Sequence, residues 1–226
     1  MNTFQPAEQA HRPVSRTGQV ADTRRRLAEA AHELFVARGF DDVTVDDIAA
    51  EAGTSRRTFF RHFVTKEAVV FPDDAVTQDL FRQGLIEETS GRPATMGNIK
   101  NLLLRLLPIY LANAKVMAER RRFIDQSPSL VAFEQAIFLG WRKTIAAAIS
   151  GTLAKSDGGG EDAPSRDAQI AAGAIVGALG ATFWSWYDDG LGDDLGGMGI
   201  ATLERLERGL GAGILFSDDE GCGKGS

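Results

Sequence analysis

Residues 44–66 read Thr-Val-Asp-Asp-Ile-Ala-Ala-Glu-Ala-Gly-Thr-Ser-Arg-Arg-Thr-Phe-Phe-Arg-His-Phe-Val-Thr-Lys, and they restrict the fold more than any other stretch. Val45, Ile48, Ala49 and Ala52 recur at i, i+3, i+4 and i+7, which is one face of a helix. Thr44 stands before that face as an N-cap, with Asp47 three residues on, close to a capping box. Asp46 and Asp47 suit the positive end of the helix dipole. Gly53 ends the helix as a C′ residue able to take the left-handed conformation. Thr54 or Ser55 then caps a second helix, in which Phe59 and Phe63 share a face at i, i+4. Two short helices across a tight glycine turn form a helix-turn-helix pattern.

The outer face of the second helix narrows its use. With Phe59 and Phe63 inward, Arg57 and Arg61 point away, flanked by Thr58 and Phe60, and Arg56 lies at the N-terminal tip. No acidic residue falls between Glu51 and Glu67, while Arg56, Arg57, Arg61 and Lys66 do. A solvated helix face normally mixes its charge signs. This face fits a helix laid into the major groove of DNA, where the N-terminal residues of a recognition helix touch base edges.

Thr44-Val-Asp-Asp-Ile-Ala, Ala52-Gly-Thr-Ser and Thr58-Phe-Phe-Arg-His-Phe-Val-Thr-Lys-Glu67 closely resemble the signature of TetR-family transcriptional regulators. The resemblance covers residues 20–70 and is architectural beyond them. It implies that Thr44 caps its helix and binds a phosphate, that Ser55, Arg56, Arg57 and Thr58 read or position bases, and that Lys66 touches the DNA backbone. Thr54, Phe60, Arg61 and His62 complete the expected DNA-binding set. Two positions depart from the family pattern. Phe60 replaces the usual tyrosine, losing a phenolic phosphate contact while leaving ring contact with a thymine methyl open. Asp46 stands where some relatives carry a basic residue, and either accepts from a cytosine amino group or serves the helix dipole.

A net charge of −6 looks unsuited to a DNA binder until it is divided. Residues 1–70 hold ten basic and ten acidic side chains, and residues 71–226 hold fifteen and twenty-one. The acidity belongs to the second part, where it would weaken non-specific adhesion to DNA. With 43% hydrophobic residues in 226, the chain can bury a real core. Cys222 is the single cysteine, so neither a disulfide framework nor a cysteine metal site is expected. His32 and His62 lack partners at ligand spacing, and no metal or cofactor is expected. No apolar run approaches a membrane span and no signal-peptide core opens the chain, so a cytoplasmic protein without a membrane partner is expected.

The rest of the chain predicts an all-α, two-part molecule. Residues 1–19 form a flexible basic arm, which reaches the minor groove or phosphates or is simply a solvated tail. Residues 20–70 form the helix-turn-helix DNA-binding domain, its first helix running over 22–38 with Gly39 as C′ residue. A fourth helix capped by Thr65 links onward to about residue 83, interrupted at Pro72. Residues 84–216 make a helical-bundle domain for effector binding and dimerisation, and 217–226 a disordered tail. Within the bundle, Pro108 is expected to kink a strongly apolar helix, and Ser127-Pro128 to open the next.

No catalytic residue is found: all three histidines lie in the first 62 residues, and the paired carboxylates fall at helix ends and loops. Met96, Leu103, Leu107, Tyr110, Met117, Phe138, Trp141, Phe183 and Trp184 are read either as plain core or, together, as a home for an apolar or amphipathic small molecule. The resemblance implies such an effector cavity, and dimerisation through the last two helices. Gly173, Gly177 and Gly180, with Leu203, Leu206 and Leu210, suit that interface. The expected function is a homodimeric repressor released from a near-palindromic double-stranded operator by its ligand. Its recognition helices would lie about 34–36 Å apart to enter successive grooves. The alternatives are a DNA-binding dimer without an effector, a regulator whose ligand promotes DNA binding, and a helical bundle with a vestigial head.

Overall fold

The computed structural model describes residues 16–153, 163–192 and 194–209. It falls into two compact units that divide between Pro72 and Asp73. Among the described residues both units are helical, without strands.

The first unit holds α1 (Arg16–Arg38), α2 (Val45–Glu51), α3 (Arg56–His62) and a single 3-10 turn over Glu67–Val70. Its core is the set of apolar faces that the periodicity predicts. Leu27, Ala31 and Phe35 of α1, Ile48 and Ala49 of α2 and Phe59 of α3 are all buried, as are Phe63, Val69 and Val70. Thr44 and Asp47 form the expected capping box at the start of α2. Gly39 and Gly53 both take positive φ, 82° and 63°, as residues that end a helix in the left-handed region must. The Gly53 turn is closed by Thr54 N–H donating to the Ala49 carbonyl at 2.8 Å.

One expectation fails here. Helix α1 begins at Arg16, not near residue 22, so residues 16–19 belong to the helix rather than to an arm; the earlier part of the arm lies outside the described residues. The interruption expected at Pro72 is present, and the helix beyond it runs past residue 83 to Thr89. The 3-10 turn stops at Val70, Phe71 leaves the helical region (φ −117°, ψ 58°), and a new helix starts at Asp74 and runs to Thr89. A residue before proline is pushed out of the α region, so Pro72 sets the break.

The second unit contains α4 (Asp74–Thr89), α5 (Met96–Ile124), α6 (Pro128–Ile149), α7 (Arg166–Asp188) and α8 (Leu195–Glu207). A second capping box, Thr95 with Asn98, opens α5, and Pro128 sits in the first turn of α6. Helix α5 contributes Ile99, Leu102 and Leu106 to a core completed by Phe81 and Leu85 of α4, Ile145 and Ala146 of α6, Ile175 of α7 and Leu203 of α8. The α4–α5 crossing is close because Gly84 carries no side chain. A Cβ there would stand 2.6 Å from Cδ1 of Leu102.

Helix α7 differs from what the sequence suggests in one respect. It is long and apolar enough to cross a membrane by length and composition alone, and only 17% of its most apolar window is buried within the chain. Ile170, Ala174, Gly177 and Ala181 lie along one side of it, all exposed. The expected interface residues divide. Leu203 is fully buried in its own core and is not available to a partner. Leu206 packs against that core, and Leu210 lies outside the described residues. Gly180 is buried beside Phe138, Gly173 approaches the Arg142 side chain, and only Gly177 has open space around it.

Candidate nucleic-acid interface

Helix α3 is presented by a hydroxyl cap. The Ser55 side chain accepts from the Thr58 N–H at 3.1 Å, and its oxygen lies 3.1 Å from the Thr58 hydroxyl. Phe59 and Phe63 anchor the helix from beneath, with ring centres 5.6 Å apart. Arg57 and Arg61 stand on the opposite side, exposed, and neither has an ion pair among the described residues. Phe60, flanking them, keeps 44% of its surface exposed while packing edge-on against Phe59. A large aromatic ring left in water on a helix that also exposes two guanidinium groups without ion pairs among the described residues is a face prepared for contact.

The other expected DNA ligands are more constrained. The Thr44 hydroxyl donates to Asp47 Oδ2 at 2.7 Å and accepts from the Asp47 N–H at 3.2 Å, so its proton is already placed within the cap. Those bonds to Thr44 hold the Asp47 carboxyl below the usual carboxylate range, with Arg38 adding to them. Thr54 is half-buried at the turn. The imidazole of His62 has its Nε2 buried and unbonded. Burial, with Arg61 and Arg24 nearby, holds it below the ordinary histidine value, so it offers a phosphate no charge at neutral pH.

Lys66 is held within its own unit. Its Nζ donates to the carbonyls of Phe40 and Val43 at 2.9 and 3.0 Å and lies 4.0 Å from the centre of the Phe40 ring. Two of the three ammonium protons therefore hold the α1–α2 loop. The three arginines midway along α1 are also committed within the unit. Arg24 donates to the carbonyls of His62 and Pro72 and lies 4.1 Å over the Phe63 ring. Arg25 pairs with Asp22 and Glu29, and Arg26 donates to the Ala52 carbonyl at 3.1 Å. Arg56 donates to Asp46 of α2 at 2.8 Å, a pairing that the two readings of Asp46 above did not contain. The sequence signal was there in retrospect: an outward acid on α2 and an outward arginine at the tip of α3.

Residues 27–71 match the family of bacterial regulatory proteins described as tetR. Over 133 residues the chain is 35% identical to a protein of Mycobacterium tuberculosis described as a mycofactocin biosynthesis transcriptional regulator, MftR; the match covers 58% of this chain and 67% of that one. The chain belongs to the TetR family. As a TetR-family transcriptional regulator it also resembles the HTH-type transcriptional regulator TcmR of Streptomyces glaucescens, 30% identical over 53% of this chain and 55% of that relative. The fold of FadR, a TetR-family transcriptional repressor of Thermus thermophilus crystallised with lauroyl-CoA, superposes with a TM-score of 0.56 at 20% identity, covering 89% of this chain and all of that one.

The second unit contains a cavity of about 10 Å³ between α5, α7 and α8, room for one water molecule. Leu103, Leu107, Tyr110 and Phe183 of the expected effector set line it, with Leu104, Leu179, Thr182, Leu195, Gly196 and Gly199. The last two were missed, although glycines three apart on a helix signal a close approach: Cβ atoms there would stand 2.7 Å from Leu107 and 3.0 Å from Leu103. The other five expected residues pack elsewhere. Trp141 stacks edge-on against Phe81 and donates to Asp74, Phe138 pairs with Trp184, Met117 accepts from Arg120, and Met96 lies against the main core. Burial drives the Tyr110 hydroxyl upward, well beyond the usual tyrosine value, and the Tyr187 hydroxyl up to about 12, so both are neutral hydrogen-bonding groups.

Proposed function

We propose that this chain is a homodimeric, ligand-released repressor that binds a near-palindromic operator through α3, in the bacterial cytoplasm. The observation that carries the DNA-binding reading is the outer face of α3: Arg57 and Arg61 are exposed, without an ion pair among the described residues, and are flanked by an exposed Phe60. Arg56, Arg57 and Thr58 face the bases, Ser55 sets the helix entry, Arg61 meets a phosphate, and Phe60 meets a thymine methyl. Dimerisation uses the exposed side of α7, since a helix this apolar with so little of it buried requires a cover. A second copy supplies the same face and gives the two-fold symmetry of the operator.

The effector is an apolar or amphipathic molecule entering between α5, α7 and α8. A cavity of about 10 Å³ is far below the roughly 300–1,000 Å³ of a ligand site, so binding opens the site rather than filling it. That the same fold holds lauroyl-CoA in FadR supports this class. The ligand selects the opened conformation, limited by its differential affinity for the two states, and residues 67–89 transmit the change. A fluorescence-anisotropy titration against DNA flanking the chain's own gene tests the reading. Saturable nanomolar binding to one short palindrome, with a steep salt slope and release by acyl compounds, supports it. Equal weak binding to scrambled DNA overturns it.

A further inference from the structure

Arg56 opens α3 and Asp46 lies in the first turn of α2. Nη1 of Arg56 donates to Oδ2 of Asp46 at 2.8 Å, and its Cζ lies 5.3 Å from the centre of the Phe60 ring. The side chains are 58% and 65% exposed, so the pair stands on the outer surface of the motif. An exposed pair of this kind adds little to stability. Its effect is on the guanidinium itself, which is tied to a carboxylate at one nitrogen and lies beside a ring.

Two consequences follow for a duplex. A guanidinium already beside a carboxylate releases fewer counterions on meeting a phosphate, which lowers sequence-independent affinity. A guanidinium of fixed orientation presents a donor fork that matches the O6 and N7 acceptors of guanine, the commonest specific contact in the major groove. We propose that Asp46 is a positioning residue that withholds Arg56 from phosphates and aims it at a guanine. This rests on the DNA-binding reading of α3 and goes beyond it by naming the base and the residue pair that selects it.

The full-length protein is titrated against duplexes enriched from a random pool, against a scrambled duplex, and against the enriched duplex with each guanine in turn replaced by 7-deazaguanine, which lacks the N7 acceptor. The wild type loses roughly five- to 150-fold in affinity at one 7-deazaguanine position in each half-site. Asp46→Asn and Arg56→Lys each remove that sensitivity, and the double variant loses no more than either alone. Asp46→Asn also binds scrambled DNA more tightly, with a salt slope steeper by about 0.9, and Asp46→Glu restores the wild-type pattern. A pure dipole role for Asp46 would lower the melting temperature of Asp46→Asn and leave its base preference and salt slope unchanged; that result overturns the proposal and leaves the DNA-binding reading standing. A wild type that does not discriminate enriched from scrambled DNA, with Arg57→Ala binding equally, overturns both.

Discussion

Nζ of Lys66 lies 3.0 Å from the carbonyl oxygen of Val43 and donates to it, joining the entry to the 3-10 turn to a loop 23 residues earlier. With the second bond to Phe40, the ammonium acts as a brace of the first unit. A hydrogen bond from a charged group contributes about 1.5–3 kcal/mol, and half-exposure places this pair at the low end. Lys66→Met should lower unfolding stability by about 2 kcal/mol, read from urea midpoints. Its salt slope on operator DNA should match the wild type, because no phosphate partner is removed.

The opposite pattern is expected for Arg57 and Arg61. Both are exposed and carry no ion pair among the described residues, so replacing either by alanine should leave the melting temperature within about 0.5 kcal/mol equivalent of wild type. Arg61→Ala should weaken binding to all duplexes alike and reduce the salt slope by about 1. Arg57→Ala should instead lose about 1–3 kcal/mol of discrimination at one base position. Anisotropy titrations at several salt concentrations separate the two outcomes.

What was legible in the sequence was local. The Thr44 cap, the Gly39 and Gly53 helix ends and the Phe59–Phe63 anchor each depend on residues within one or two turns, where spacing determines which side chains meet. The break at Pro72 was legible for the same reason, because a residue before proline is pushed out of the helical region, as Phe71 is. The bonds of Lys66 were not legible, because its partners are backbone carbonyls 23 and 26 residues away, and a carbonyl leaves no mark in a sequence pattern. In the second unit, the apolar run around Pro108 and the Ser127-Pro128 start marked α5 and α6. The pattern did not say which aromatic rings face a cavity and which face one another, because that depends on how the helices cross.

Asp74 gives a pH-dependent test of the second unit. Burial raises its carboxyl above the usual 3.8, against the pull of hydrogen bonds from Trp141 and Gln78. A carboxyl with a raised folded value binds its proton more tightly folded than unfolded, so stability rises as pH falls through the folded value and levels off below the unfolded one. Asp74→Asn removes this contribution. The stability of wild type relative to Asp74→Asn should therefore increase as pH falls from neutrality towards 3.8, measured by urea denaturation of both proteins across that range.

Gly84 sets two effects against each other. Alanine is favoured over glycine in a helix by about 1 kcal/mol, but the new Cβ would lie 2.6 Å from Leu102, a side chain 1% exposed at the centre of the core. Overpacking a closed core costs about 1–3 kcal/mol. Because Leu102 is enclosed by α4, α5 and their neighbours, the clash should win, and Gly84→Ala should be destabilised by about 1 kcal/mol in urea. A stabilised variant would mean that Leu102 has an alternative rotamer available.

Gly177 tests the dimer by the same comparison with a different sign. A Cβ there meets nothing within 4 Å of its own chain, so Gly177→Ala gains the helix propensity, about 1 kcal/mol, as long as no partner occupies the space. Ala181 lies one turn further along the same exposed side of α7. If a second copy covers that side, Ala181→Glu places a carboxylate in an apolar contact, where burial of an unpaired charge costs several kcal/mol. Sedimentation should then show wild type as a dimer and Ala181→Glu as a monomer with the helical content retained. The same variant should also lose operator binding, because a single head contacts half a palindrome. An Ala181→Glu protein that stays dimeric would place the interface on another surface.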